Sequence, residues 1–248
     1  MSNVVTIVET TPINRCKYFL VGTPDVGLAG AIASGYIIRE QQMTETGYLE
    51  SEAFPPVMVV HQGDPKPPLM LFSKDDIVVL SSEIPIDPGL IPHIARSIID
   101  WSKAKGVELL ISLSGIAVQN RLEIEKPEVY GIGSSASVKD LIKNADIKVF
   151  EEGFVAGLHA SVMKECLKEN VPNLILLAQS HLKYPDPGAA ASIIASLDKI
   201  LGLKVNTKKL LKQEDEIRLK MRELMQRTQK QMQQTQKGRE QEIPLMYA

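Results

Sequence analysis

The side chains with chemistry to offer fall in two places: a few acids, hydroxyls and imidazoles flanking short apolar runs, and the last three residues. Asp25, Glu83, Asp87, Ser114, His159 and His181 belong to the first group. An α/β protein sets its catalytic groups at such strand ends. None of the six stands in a recognisable nucleophile motif, since Ser114 is not part of a G-x-S-x-G turn. No H-E-x-x-H or paired-His spacing points to a metal. Asp87, just before Pro88, fits a helix N-cap. His159 suits a packed or surface histidine, and Ser134-Ser135-Ala136-Ser137 either lines a pocket or caps the helix that follows. No catalytic, cofactor or metal role is therefore assigned, and the protein is not expected to be an enzyme.

Met246-Tyr247-Ala248 offers something else: an apolar knob, a phenol ring and a terminal carboxylate within one short reach. Capture of a C-terminal carboxylate is a recurring mode of peptide recognition, and tyrosine brings large contact area at low entropic cost. Pro244 breaks any incoming helix and holds Ile243 out of the α region. The tip is expected to be presented to a partner, although chain ends are often merely frayed.

Of 248 residues, 44% are hydrophobic and 23% charged, ordinary values for a globular chain. Residues 208–242 hold ten Lys/Arg against six Asp/Glu, a net of +4, while the remainder, eighteen against twenty-four, carries −6. That asymmetry sets the C-terminal segment apart. The positive charge is diluted by Glu214, Asp215, Glu216 and Glu223 and lacks interleaved aromatics, which speaks against nucleic acid. Cys16 and Cys166 show no metal or disulfide spacing and read as reduced, buried residues. No secretory leader and no eighteen-residue apolar run is visible, so a cytoplasmic location away from membranes is expected.

Positioning these groups requires an alternation of strands and helices. Strands are expected at Val4–Val8, Tyr18–Val21, Ala53–Val60, Leu69–Phe72, Ile77–Leu80, Leu109–Leu113, Tyr130–Ser135, Asp146–Phe150 and Asn173–Gln179, with Ile77–Leu80 buried on both faces. Thr23 and Pro24 read as the cap and first residue of a helix. Gly27 and Gly30, three apart, would let that helix lie close on the strand beneath. Phosphate binding at this turn is the weaker reading, because it has neither the P-loop nor the G-x-G-x-x-G pattern. Further helices are expected over Ile94–Lys105, Gly153–Glu169 and, after Asp186-Pro187, Ala189–Leu201. The pattern implies an α/β fold with a parallel or mixed sheet between helices.

From Lys208, the heptad spacing of Leu210, Ile217 and Leu224, with Met221, Met225 and Met232, predicts one helix of about thirty residues. Its narrow seam suits packing on a sister subunit. The expected organisation is an α/β domain over 1–207, a C-terminal helix over 208–240 and a mobile tail over 241–248.

Gly22-Thr23-Pro24-Asp25-Val26-Gly27-Leu28-Ala29-Gly30, followed by Ala33 and Tyr36, resembles the opening signature of the proteasome assembly chaperone family in its archaeal branch. Glu52-Ala53-Phe54-Pro55-Pro56, Gly153-Phe154-Val155-Ala156-Gly157-Leu158-His159-Ala160 and Tyr184-Pro185-Asp186-Pro187-Gly188-Ala189-Ala190 extend the resemblance over most of the first two hundred residues. His159 departs from it, because the family more often carries Asn there. The resemblance implies a three-layer, phosphorylase-like α/β/α sandwich that forms homo- or hetero-oligomers, has no established catalysis and binds α-subunits of the 20S proteasome. It also implies that Met246, Tyr247 and Ala248 act as the hydrophobic, tyrosine and carboxylate positions of a tail that enters pockets between α-subunits, where a lysine meets the carboxylate. The competing expectation is a phosphorylase- or hydrolase-like enzyme acting on a nucleoside or other small molecule near Gly22–Gly30.

Overall fold

Strands with apolar residues at every position must be covered on both faces, and the central strands here are. In Tyr18–Gly22 (β2), Leu20 faces one core, while Phe19 and Val21 face another. Leu109–Ala117 (β8) repeats the pattern, with Leu109, Ile111 and Leu113 on the first side and Leu110 on the second. The computed structural model describes residues 4–220 and 222–242.

Nine strands form the main sheet. With β1 (Thr6–Glu9), β3 (Thr44–Glu50), β6 (Leu69–Lys74), β7 (Ile77–Ser82), β9 (Val129–Gly133), β10 (Lys148–Val149) and β11 (Asn173–Ser180), the order is β1-β3-β6-β7-β2-β8-β11-β9-β10. The centre, β7-β2-β8-β11, is parallel; β1, β3 and β6 pair antiparallel on one side, and β9 runs antiparallel to β11 on the other. A small hairpin, β4 (Val59–His61) with β5 (Asp64–Lys66), stands apart.

Three helices cover the first face: α1 (Ala29–Glu40), α3 (Ala136–Asn144) and α5 (Pro187–Leu201), through residues such as Ile37, Ile142 and Ile194. Two cover the second: α2 (Ile91–Lys105) and α4 (Gly157–Glu169), through Ile94, Ile98, Leu158, Val162 and Cys166. The result is the three-layer α/β/α arrangement. Cys16 and Cys166 are both buried, and burial pushes each thiol up to about 12. No helix among the described residues is long and apolar enough to cross a membrane.

The structure departs from expectation in several places. β3 was not anticipated, because Thr44, Glu45 and Glu50 are exposed and a bulge between Glu45 and Gly47 interrupts its alternation. Residues 53–58 form no strand, as Pro55 and Pro56 have no amide hydrogen for a ladder. Asp87 is not a helix cap: its Oδ1 accepts the Gly89 amide in a turn, and α2 begins at Ile91. The C-terminal segment is interrupted at Gln213, where α6 (Lys208–Lys212) ends; α7 (Glu214–Lys220) and α8 (Arg222–Glu242) are helical on either side of Met221.

The Met-rich seam of that segment is used within the same chain. Leu210 and Met225 are fully buried in the first core, with Ile217, Leu224 and Met232 packed against it. Tyr36 Oη donates to Asn206 O at 2.8 Å, and Gln41 Nε2 to Leu203 O at 2.8 Å, tying the approach to α6 onto α1.

The edge strand β1 is anchored through Glu9. It accepts hydrogen bonds from Trp101 Nε1 at 2.9 Å and Ile13 N at 3.0 Å, and pairs with Lys105 Nζ at 2.7 Å. Burial raises the Glu9 pKa, but the hydrogen bonds and the lysine outweigh it and hold the group below its ordinary 4.5. A depressed carboxylate contributes stability above its unfolded pKa and loses it as pH falls through the lower folded value. Emission of Trp101, the one tryptophan in the chain, should therefore shift as pH falls below the ordinary 4.5 of this carboxyl. In Glu9→Gln this shift should be absent, with β1 already loosened at neutral pH.

Candidate functional site

A topological switch lies at the C-terminal end of β2, where the chain turns first to β7 and later to β8, and α/β proteins build their sites at such points. Here the turn after β2 lies too close to its neighbours for any side chain at its glycines. A Cβ on Gly30 would stand 2.0 Å from Leu113 O, and one on Gly27 would stand 1.9 Å from Ser180 Oγ. Gly27 has φ 61° and Leu28 φ 53°, so a left-handed kink separates a short 3-10 turn, Val26–Leu28, from α1. Thr23 is buried and caps nothing; α1 begins six residues after it. The close-packing role expected of the glycines holds, whereas the expected helix start does not.

The kink turns Asp25 inward, beside β8 and α4. Ser114 Oγ donates a short hydrogen bond to Asp25 Oδ2, and His159 Nε2 lies 3.3 Å from the same oxygen. His159 is 3% exposed, and neither of its ring nitrogens is in hydrogen-bond geometry with a partner; Asp25 Oδ1 and Ser180 Oγ are likewise unpartnered. Burial pushes the Asp25 carboxyl above its ordinary pKa, with His159 and Ser114 pulling the other way.

Three of the six candidate residues thus meet, and the rest do not. Glu83 pairs with His61 at 2.6 Å on the surface, Asp87 holds its turn, and the His181 ring packs edge-on to Tyr184. In Ser-His-Asp catalysis the imidazole stands between hydroxyl and carboxylate, so that it can take the serine proton. Here Ser114 and His159 both approach the same carboxylate oxygen, and neither imidazole nitrogen is hydrogen-bonded to Ser114. Val26 O closes over Gly115, 2.5 Å from where a Cβ would be. Two surface cavities lie elsewhere: one of about 620 Å³ beside Tyr130 and Phe150, another of about 440 Å³ between Phe54, Ile84 and Leu90. No group of three metal-ligating side chains occurs among the described residues.

A second tie lies next to the first. Asp186, fully buried, receives Arg121 Nε at 2.7 Å and Nη2 at 2.8 Å, a two-pronged pair. Its carboxylate also caps α5 through Ala189 N and accepts His181 N, while its own amide donates to Gly27 O at 2.8 Å. Asp186 as the start of α5 was foreseen. Arg121 was not, because an arginine in a polar loop gives no local sign of a partner sixty-five residues away. Met246, Tyr247 and Ala248 lie outside the described residues.

The fold and these ties define an α/β/α protein whose strand-end polar groups hold its own elements together. A family model, PAC2, matches residues 19–225, and the chain belongs to the PAC2 family. Its fold matches that of Pyrococcus furiosus PbaA, described as an archaeal homolog of proteasome-assembly chaperone. The TM-score is 0.86 at 29% identity, covering 91% of this chain and 98% of PbaA. Pyrococcus furiosus PbaB, described as an archaeal proteasome activator, shares the fold at TM-score 0.75 and 19% identity, covering 90% of this chain and 99% of that one. A curated Methanocaldococcus jannaschii protein without an assigned role is 29% identical over 214 residues, 86% of this chain and 87% of that protein.

Proposed function

We propose that this protein is a non-enzymatic proteasome-assembly chaperone or adaptor that works in the cytoplasm as a homo-oligomer. In this reading it binds α-subunits of a 20S core particle through Met246, Tyr247 and Ala248. The observation that carries the reading is the likeness to PbaA over nearly the whole of both chains. The chemistry of the last three residues supplies the contact: an apolar knob for a cleft, a phenol that can both pack and hydrogen-bond, and a carboxylate for a lysine.

One such plug binds weakly, because ordering three residues consumes much of their contact energy. Several plugs on one oligomer act at high effective concentration and gain orders of magnitude in avidity. The enzymatic alternative is the weaker reading, since in the strand-end cluster Ser114 is hydrogen-bonded to Asp25 and not to His159.

Removal of Tyr247 and Ala248 is expected to abolish co-sedimentation with 20S particles while native mass shows the oligomer unchanged. Retained binding by the shortened chain would count against the tail as the anchor.

A further inference from the structure

Among the described residues, Leu122, Val149, Phe154, Leu182 and Tyr184 are large apolar side chains left exposed, and all five lie at one end of the sheet. Leu122, Leu182 and Tyr184 stand on the loops that leave β8 and β11, Val149 on β10, and Phe154 just before α4. Phe154 is 99% exposed and Leu122 87%. The loops are joined: Arg121 grips Asp186, and Val149 to Glu152 share the cavity of about 620 Å³ with Ile116, Val118 and Gln179. Exposed apolar residues scattered singly need no explanation, whereas a group of them marks an interaction face. We propose that this strand-end face docks, head to tail, on the exposed side of the α6–α7 segment of a second copy of the chain.

Charge selects the occupant. Glu128 is already paired with Lys148, but Glu123, Glu125, Glu151 and Glu152 are exposed and in no ion pair among the described residues. Against these four carboxylates the same loops set the exposed Lys126 and Lys183, so the rim of the face is acidic. Residues 208–222 have the opposite balance, six Lys/Arg against three Asp/Glu, a net of +3. Their inner seam packs within its own chain, yet Leu211 and Leu219 stay outside it, Leu219 72% exposed, beside the exposed Lys208, Lys212 and Arg222. Apolar groups in an acidic rim thus match apolar groups in a basic one. Two strand-end faces meeting each other would instead set acid against acid, which electrostatics opposes.

The two surfaces stand at opposite ends of the fold. α1 starts beside the strand-end loops, and its far end holds the C-terminal segment, through Gln41 Nε2 to Leu203 O and through Glu40 to Lys209 at 3.8 Å. One chain therefore does not bring its own two surfaces together. Contact between unlike surfaces of identical subunits is heterologous, and it closes into a ring when the rotation between neighbours permits. The inference rests on the homo-oligomer of the proposed function and supplies the contact that builds it.

Native mass of the full chain over a concentration series tests the contact. Phe154→Ser alters a side chain that the fold leaves in solvent, and should weaken subunit association by about tenfold or more, as expected of an anchor at an interface. Glu151→Lys with Glu152→Lys sets cations against Lys208 and Lys212 and should dissociate the oligomer. Adding Lys208→Glu and Lys212→Glu to that same chain should restore the native mass, which a misfolded variant would not do. Dissociation that the four substitutions together fail to reverse would overturn the pairing of these two faces. An oligomer that keeps its mass in Phe154→Ser and in the glutamate variant would overturn the contact while leaving the homo-oligomer standing. An unaltered chain that stays monomeric would remove the homo-oligomer itself, and the contact with it. Co-sedimentation with 20S particles lost at unchanged native mass would assign the face to another partner and overturn the inference equally.

Discussion

Asp186→Ala is expected to destabilise the protein by about 3–5 kcal/mol, the cost of leaving one partner of a buried pair without the other. For a chain of this size that lowers Tm by roughly 6–20 °C. The expectation rests on what Asp186 touches. Arg121, 7% exposed, would keep its charge with only the Ile124 carbonyl for company, while α5 loses its cap and His181 N its acceptor. Asp186→Asn keeps an acceptor for Ala189 N but not the charge match, and should fall between the two. The double variant Arg121→Met/Asp186→Ala tests the cause. Removing both charges should restore part of the loss, since a pair replaced whole costs far less than a pair broken. A double variant as unstable as the single one would assign the effect to the cap instead.

Gly30→Ala should destabilise by an amount at or above the upper end of the ~1–3 kcal/mol typical of overpacking. Two effects compete at this position. Alanine is the better helix former by about 1 kcal/mol, but its methyl would stand 2.0 Å from Leu113 O and 2.8 Å from Leu113 C, which are backbone atoms of a central strand and cannot swing away. Displacement of α1 from β8 wins. Gly35, in the same helix with nothing within 4 Å of its missing Cβ, provides the control. Gly35→Ala should be neutral or stabilising by up to ~1 kcal/mol. Urea denaturation of the two variants side by side reads the difference. Because the β2–α1 turn also carries Asp25, Gly30→Ala should loosen the Ser114 contact as well.

Much of this architecture could be read from the chain, for identifiable reasons. Strands β2, β7, β8 and β11 are continuous apolar runs because helices lie on both their faces, and such runs are visible in one dimension. β3 lies near the antiparallel side of the sheet with exposed Thr44 and Glu45, and its register shifts at a bulge, so no clean period survives. The start of α1 was misplaced because Thr23-Pro24 imitates a cap, whereas long-range contacts pull Asp25 into the interior and Leu28 into a left-handed conformation.

The strand-end cluster was legible as candidates but not as a constellation. Asp25, Ser114 and His159 stand eighty-nine and forty-five positions apart along the chain, and only the parallel centre of the sheet with α4 laid over it brings them together. Arg121 gave no sign at all, as its meaning lies wholly in Asp186. In the C-terminal segment the heptad spacing of Leu210, Ile217 and Leu224 was real. What periodicity could not reveal is whose core those residues enter, and Leu210 and Met225 enter their own.

Competition by a free peptide tests the central proposal most directly. A synthetic peptide of residues 241–248 is added in excess to the full-length protein mixed with 20S core particles, and the bound fraction is measured by co-sedimentation. The proposal predicts that this peptide displaces the protein, and that the same peptide with Tyr247→Ala, or with its carboxylate amidated, does not. Undiminished binding at saturating peptide would contradict the tail as the docking element.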